Sequence, residues 1–179
     1  MATVNLLPTS DLSNSWTLST GSDLYEVINE NSTGFAASDS SRAYTTTAGH
    51  EFYVTLSDFT EDFSSIESVQ VILRTAVNSR GATYTMKASL TDSAGIPNIY
   101  YAEDSNQTGS ATYKTVTYTE RTTHNGSHAW TNARLNGLRL IVEADVISTG
   151  TCHCTFAYVI VTYTEPVAGD NAIFFGTNF

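Results

Sequence analysis

The chain has 179 residues, 41% of them hydrophobic and only 15% charged, with a formal net charge of −10. That length suits one domain with a sizeable core and is short for two. The charge, with Lys87 and Lys114 as the only lysines, argues against nucleic-acid phosphates or anionic membranes as partners. Charged residues fall below the usual ~25%, and serine and threonine take their place, as suits strands whose outward positions carry hydroxyls.

Met1 to Pro8 holds Val4, Leu6 and Leu7, an apolar arm ended by proline. Residues 1–15 lack the basic start and apolar run of a signal peptide, and no stretch approaches the ~20 apolar residues of a membrane span. A protein made and used in a cytosol is the expectation. Asp11 to Gly21 alternates Trp16 and Leu18 before a Gly21-Ser22-Asp23 turn. Leu24 to Ile28 reads as a strand or short ordered edge, and Asn29 to Ser41 as loop.

Strands are expected over Arg42 to Thr47 and Glu51 to Leu56, the latter alternating Phe52, Val54 and Leu56 with Tyr53 and Thr55. Asp58 to Ser65 reads as a loop pinned by Phe59 and Phe63, or as one helical turn. Ile66 to Thr75 and Thr83 to Leu90 are strong strands, and Asn78 to Gly81 between them reads as a hairpin turn. Ile99 to Ala102 and Tyr113 to Thr119 add shorter strands. Trp130 to Asn136 suits a short helical turn, and Leu138 to Ala144 alternates Leu138, Leu140, Val142 and Ala144 with Arg139, Ile141 and Glu143.

Thr155 to Tyr163 is the most β-prone run, apolar on both faces in its middle and closed by Pro166. It reads as a central strand buried between two layers, with Leu138 to Ala144 as its neighbour. Eight or more strands of this spacing, without a long helix, give one all-β domain, a sandwich or a barrel.

Candidate chemistry is sparse. Cys152-His153-Cys154 invites a zinc reading, but a strand sends alternate side chains to opposite faces, and structural zinc wants four ligands. Two core cysteines flanking an outward histidine fit better. His124 and His128 fall in a loop with an Asn-Gly turn, which reads as solvated. Glu61-Asp62 and Glu103-Asp104 read as loop charges, because nothing in their spacing sets two carboxylates across a cleft. The sequons at Asn31, Asn106 and Asn125 are common by chance in so Ser/Thr-rich a chain. No catalytic, metal-ligating or cofactor-binding residue is assigned, and no cofactor is expected.

The C-terminal tail carries more information. Ile173, Phe174, Phe175 and Phe179 are large and apolar, which implies that the tail docks on the domain's own surface, a neighbouring subunit or a larger partner.

Two passages carry a family resemblance. Trp16-Thr17-Leu18, then Asp23 to Glu30 and Tyr44, is similar to an N-terminal pattern in jelly-roll structural proteins of tailed bacteriophages. Leu135 to Ala144 and Thr155 to Tyr163 resemble two later strands of the same group. The chain departs from that pattern between Gly34 and Ser41, where Asp39 is the only aspartate. The resemblance implies an antiparallel, jelly-roll-like β-sandwich over residues 16–166, with an N-terminal arm over 1–15 and an aromatic arm over 167–179. It further implies a non-enzymatic virion part: a capsid decoration (cement) protein on the outer surface of a phage head. Its partners would be the major capsid protein and copies of itself, with a trimer favoured and no nucleic acid or membrane. Val4, Leu6, Leu7, Ile173, Phe174, Phe175 and Phe179 are the candidate contacts. The alternative is a glycan- or receptor-binding module of a tail fibre or extracellular protein, with Tyr100, Tyr101 and Trp130 as a sugar platform; a glycosidase or lyase is the third.

Overall fold

Two antiparallel sheets face one another across the apolar core. The computed structural model describes residues 1–29, 39–79, 82–91, 99–100, 107–108, 112–124 and 126–167. Its strands are β1 (Ala2–Leu6), β2 (Pro8–Asn14), β3 (Thr17–Leu18), β4 (Ala43–Thr45), β5 (His50–Leu56), β6 (Ser65–Val77), β7 (Thr83–Thr91), β8 (Ile99–Tyr100), β9 (Gln107–Thr108), β10 (Lys114–Thr117), β11 (Arg139–Ile147) and β12 (Cys152–Thr164). Two short helices, α1 (Leu24–Ile28) and α2 (Asn132–Leu135), complete the described elements.

The first sheet has the order β10-β6-β12-β4-β3, with β1 also on β12; the second has β2-β5-β11-β7-β8, with β9 also on β7. Numbering β4, β5, β6, β7, β8, β10, β11 and β12 as successive strands one to eight, the first sheet reads first-eighth-third-sixth and the second reads second-seventh-fourth-fifth. That order is a jelly roll, in which successive strands mostly cross between layers, the fourth and fifth (β7 and β8) being the pair that stays in one sheet. The fold expectation is therefore met, on the strand order alone.

The crossing habit corrects two local expectations. β6 and β7 lie in different sheets, so the turn at Asn78 crosses the sandwich instead of closing a hairpin. β11 likewise sits opposite β12, between β5 and β7, and is not its neighbour. Alternation along a strand says which face is buried and cannot say which strand lies alongside.

β12 is central, as its composition requires. It pairs with β6 along one side, and with β4 and then β1 along the other. The register slips between Cys154 and Phe156, leaving Thr155 as an extra residue. Such a bulge reverses which face the following residues use. Cys152 and Cys154 thus enter the core, as expected, while Phe156 turns outward opposite Arg74.

Residues 1–15 do not form a free arm. β1 extends the first sheet through pairs from Ala2–Tyr163 to Leu6–Val159, and β2 extends the second against β5. Leu6 is fully buried, Val4 packs against the core, and the Leu7 N–H donates to Ser57 Oγ at 3.1 Å. These three side chains are core and edge residues, because an alternating apolar run completes a sheet wherever an unpaired edge exists. Ile173, Phe174, Phe175 and Phe179 lie outside the described residues.

Leu24 to Ile28 is helical, where a strand or short ordered edge is expected. Leu24, Val27 and Ile28 share a buried face at helical spacing, and the Asp11 carboxylate accepts from Leu24 N at 2.6 Å and Tyr25 N at 2.7 Å. A carboxylate there satisfies two of the helix's unpaired donors and suits the positive end of its dipole. The cap comes from thirteen residues upstream. The loop after β5 is pinned as its phenylalanines suggest: Phe59 is buried, 5.5 Å edge-on to Phe63 and 5.4 Å from Tyr163.

Candidate functional site

The outer face of the first sheet carries a groove that no single motif announces. Register sets Tyr44 on β4, His153 on β12 and Ala76 on β6 in one row. Tyr113, just before β10 and one position beyond the Lys114–Thr75 pair, continues that row. Arg42 shares the outward face of its segment with Tyr44 two residues on, and Asn78 follows Ala76 at the same spacing.

Ala76 is the small member of the row. Its single methyl leaves a depression between two larger rings, and Tyr113 leans across it to bring its hydroxyl 3.1 Å from His153 Nδ1. The Tyr113 and His153 ring centroids are 6.0 Å apart; on the other side Tyr44 meets His153 edge-on at 6.2 Å. One cavity of about 350 Å³ is lined by Leu18, Ser19, Arg42, Tyr44, Asn78, Thr151 and His153. A second of about 260 Å³ is lined by Arg42, Ala76, Asn78, Tyr113 and His153. They share Arg42, Asn78 and His153 and form one furrow.

Turn chemistry holds the furrow's end. Thr151 N donates to Asn78 Oδ1 at 2.8 Å and Asn78 N to Thr151 O at 3.1 Å, tying the two interlayer crossings together. Arg42 N donates to Ser19 Oγ at 2.9 Å, fixing the rim against the loop after β3.

The electrostatics are local and positive in an acidic chain. Burial, followed by the nearby Arg42 charge, lowers His153 to about 4, so it is neutral near pH 7. Burial also raises the Tyr113 hydroxyl, which stays protonated. Arg74 lies 5.7 Å over the Tyr113 ring and forms a two-pronged pair with Asp39, at 2.7 and 2.8 Å. Arg42 has no such partner among the described residues, and its Nε is enclosed without an acceptor.

His153 does point away from the core, as the alternation implies, but it is 9% exposed because the tyrosines cover it. Of the three residues expected to form a sugar platform, only the side chain of Trp130 lies among the described residues, and it is not exposed. Trp130 is buried, donating from Nε1 to Arg121 O at 2.9 Å, and the side chains of Tyr100 and Tyr101 lie outside the described residues. His124 is buried edge-on to Trp130 at 5.1 Å, so this end of its loop is packed rather than solvated. Glu61 and Asp62 are exposed loop charges, as expected, and Glu103 and Asp104 lie outside the described residues. Sequence reasoning missed Arg42, Tyr44, Asn78 and Tyr113 because they meet only across strands distant in sequence. The one readable signal was a histidine forced outward between two core cysteines.

No family model matches the sequence. No curated protein matches it either. Among solved structures, the C-terminal CBM6 of the laminarinase LamC from Zobellia galactanivorans is similar at a TM-score of 0.45 and 12% identity, covering 90% of this chain and 99% of that one. The xylan-binding module CBM15 is similar at 0.41 and 11%, covering 92% and 100%. A chain from infectious bursal disease virus, Gx strain, is similar at 0.36 and 12%, covering 73% and 30%. Scores of this size carry no argument about function, and the fold assignment rests on the strand order.

Proposed function

We propose that this chain is a non-enzymatic glycan-binding module that holds a saccharide in the Tyr44–His153–Tyr113 furrow. The observation that carries the reading is the furrow's make-up: aromatic rings beside convergent polar groups on a rigid sheet. Tyrosine offers an apolar ring face to sugar C–H groups and a hydroxyl to sugar oxygens. Arg42, Asn78, Ser19 and neutral His153 supply directional partners. Small-molecule sites combine these elements in cavities of ~300–1,000 Å³. No carboxylate lines either cavity among the described residues, and Asp39 nearby is committed to Arg74. That favours binding without hydrolysis, because glycoside cleavage needs two facing acids. At ~0.3 kcal/mol per heavy atom, one sugar ring binds with roughly −4 kcal/mol, a Kd of about 1 mM, and longer glycans bind more tightly.

A glycan array probed with a multivalent form of the protein tests this directly. Hits that vanish in Tyr44→Ala and Tyr113→Ala support it. An array without hits, or hits unchanged in both variants, overturns it.

A second reading rests on a different observation, the apolar Ile173, Phe174, Phe175 and Phe179 beyond the last strand. In that reading the chain is a capsid decoration protein of a phage head whose tail docks on the shell or a neighbouring subunit. The N-terminal residues drop out of the role, since β1 is part of the sheet. Removing residues 167–179 should then abolish trimer formation in light scattering or co-sedimentation with capsids. A truncated protein that does both counts against it.

A further inference from the structure

The furrow contains an arginine charge that bonds the Tyr113 hydroxyl but meets no carboxylate among the described residues. Of the two arginines there, Arg74 is neutralised by Asp39, and His153 is uncharged near pH 7. Arg42 faces both cavities, forms no ion pair among the described residues, and keeps an enclosed Nε without an acceptor. A buried donor left unmatched is costly, and native structures retain few of them. Its positive potential reaches His153 and acts on Tyr113 as well. The rest of the molecule is strongly acidic, so long-range attraction does not bring anions here. Selectivity for an anion would come from contact alone.

We propose that Arg42 is a carboxylate-recognising residue, so that the furrow selects an acidic saccharide, one bearing a uronate-type carboxylate, over its neutral counterpart. This rests on the glycan-binding reading above. A guanidinium meets a carboxylate through parallel N–H donors, a planar match that a hydroxyl cannot reproduce. Asn78 and His153 line both cavities and Ser19 one of them, where their polar groups can meet ring hydroxyls, and Ala76 lines the other. The rim bond from Arg42 N to Ser19 Oγ fixes the backbone from which the guanidinium reaches.

The test uses the full chain, with trigalacturonate and its fully methyl-esterified form as probes, measured by calorimetric titration at two salt concentrations. The acid is expected to bind at least tenfold more tightly than the ester, with an advantage that shrinks in high salt. Arg42→Gln should weaken binding of the acid far more than of the ester and so remove that advantage, and Arg42→Lys should restore part of it. Equal binding of acid and ester to the unaltered protein overturns the inference and leaves the glycan reading standing. So does an undiminished preference in a folded Arg42→Gln variant. If neither probe binds, and a glycan array is also blank, both readings fall together.

Discussion

Gly150→Ala probes the corner on which both the sandwich and the furrow depend. Gly150 sits in the crossing from β11 to β12 with φ +88°. A methyl added there would lie 2.5 Å from Ser79 Cβ, 2.9 Å from Asn78 Oδ1 and 3.3 Å from Ser79 N. Left-handed backbone costs an alanine roughly 1–2 kcal/mol, and forcing a methyl into occupied space adds about 1–3 kcal/mol. Gly49→Ala is the control: its φ is +79°, but nothing lies within 4 Å of the added methyl. The difference between the two variants therefore isolates the contact, at about 1–3 kcal/mol. For a chain of this size 1 kcal/mol moves the Tm by roughly 2–4 °C. Calorimetric melting of both variants reads it. If they lose the same stability within about 0.5 kcal/mol, the near limit of additivity, the interlayer crossings are not packed as described. Because Asn78 and Thr151 also line the furrow, Gly150→Ala should weaken ligand binding and Gly49→Ala should not.

Three further outcomes follow from the packing. Phe59→Ala empties a ring site bounded by Phe63 and Tyr163 and should lower unfolding free energy in urea by about 3–5 kcal/mol; a loss under about 1 kcal/mol would mean the loop is not pinned. His153 titrates near 4 when folded and near 6.5 when unfolded, so between those values the unfolded chain binds the extra proton. Stability should thus fall as pH drops from 6.5 towards 4 and be fully present above 6.5. Discounted for solvent screening, the loss is about 1–2 kcal/mol, and denaturant titrations of His153→Gln should lack that component. Cys152 and Cys154 are fully buried thiols outside any disulfide, and burial raises Cys154 further from ionising. Ellman's reagent should find neither until the protein is unfolded; rapid native-state labelling of both would contradict their place in the core.

What the sequence discloses here is which face of each strand is buried. Phe52, Val54 and Leu56, and Leu140, Val142 and Ala144, face the core as their alternation requires. Partnership is another matter. The same alternation is satisfied whether β6 pairs with β7 or crosses from it, and only the assembled sheets decide. Helix α1 stayed hidden because its cap, Asp11, belongs to another strand. The bulge at Thr155 is illegible for a related reason: one extra residue reverses the facing of Phe156 without altering composition. Most of the furrow was hidden too, since Arg42, Ala76, Tyr113 and His153 are gathered by register from four segments. A small residue between two rings of one row makes the depression, and no linear pattern marks it.

The most direct test of the central claim follows backbone and side-chain resonances while oligosaccharides identified by array are titrated in. Shifts concentrated at Arg42, Tyr44, Ala76, Tyr113 and His153, saturating together with one Kd, are the predicted result. A saturating ligand whose shifts fall elsewhere, with these five unmoved, would contradict the assignment of the furrow as the binding site.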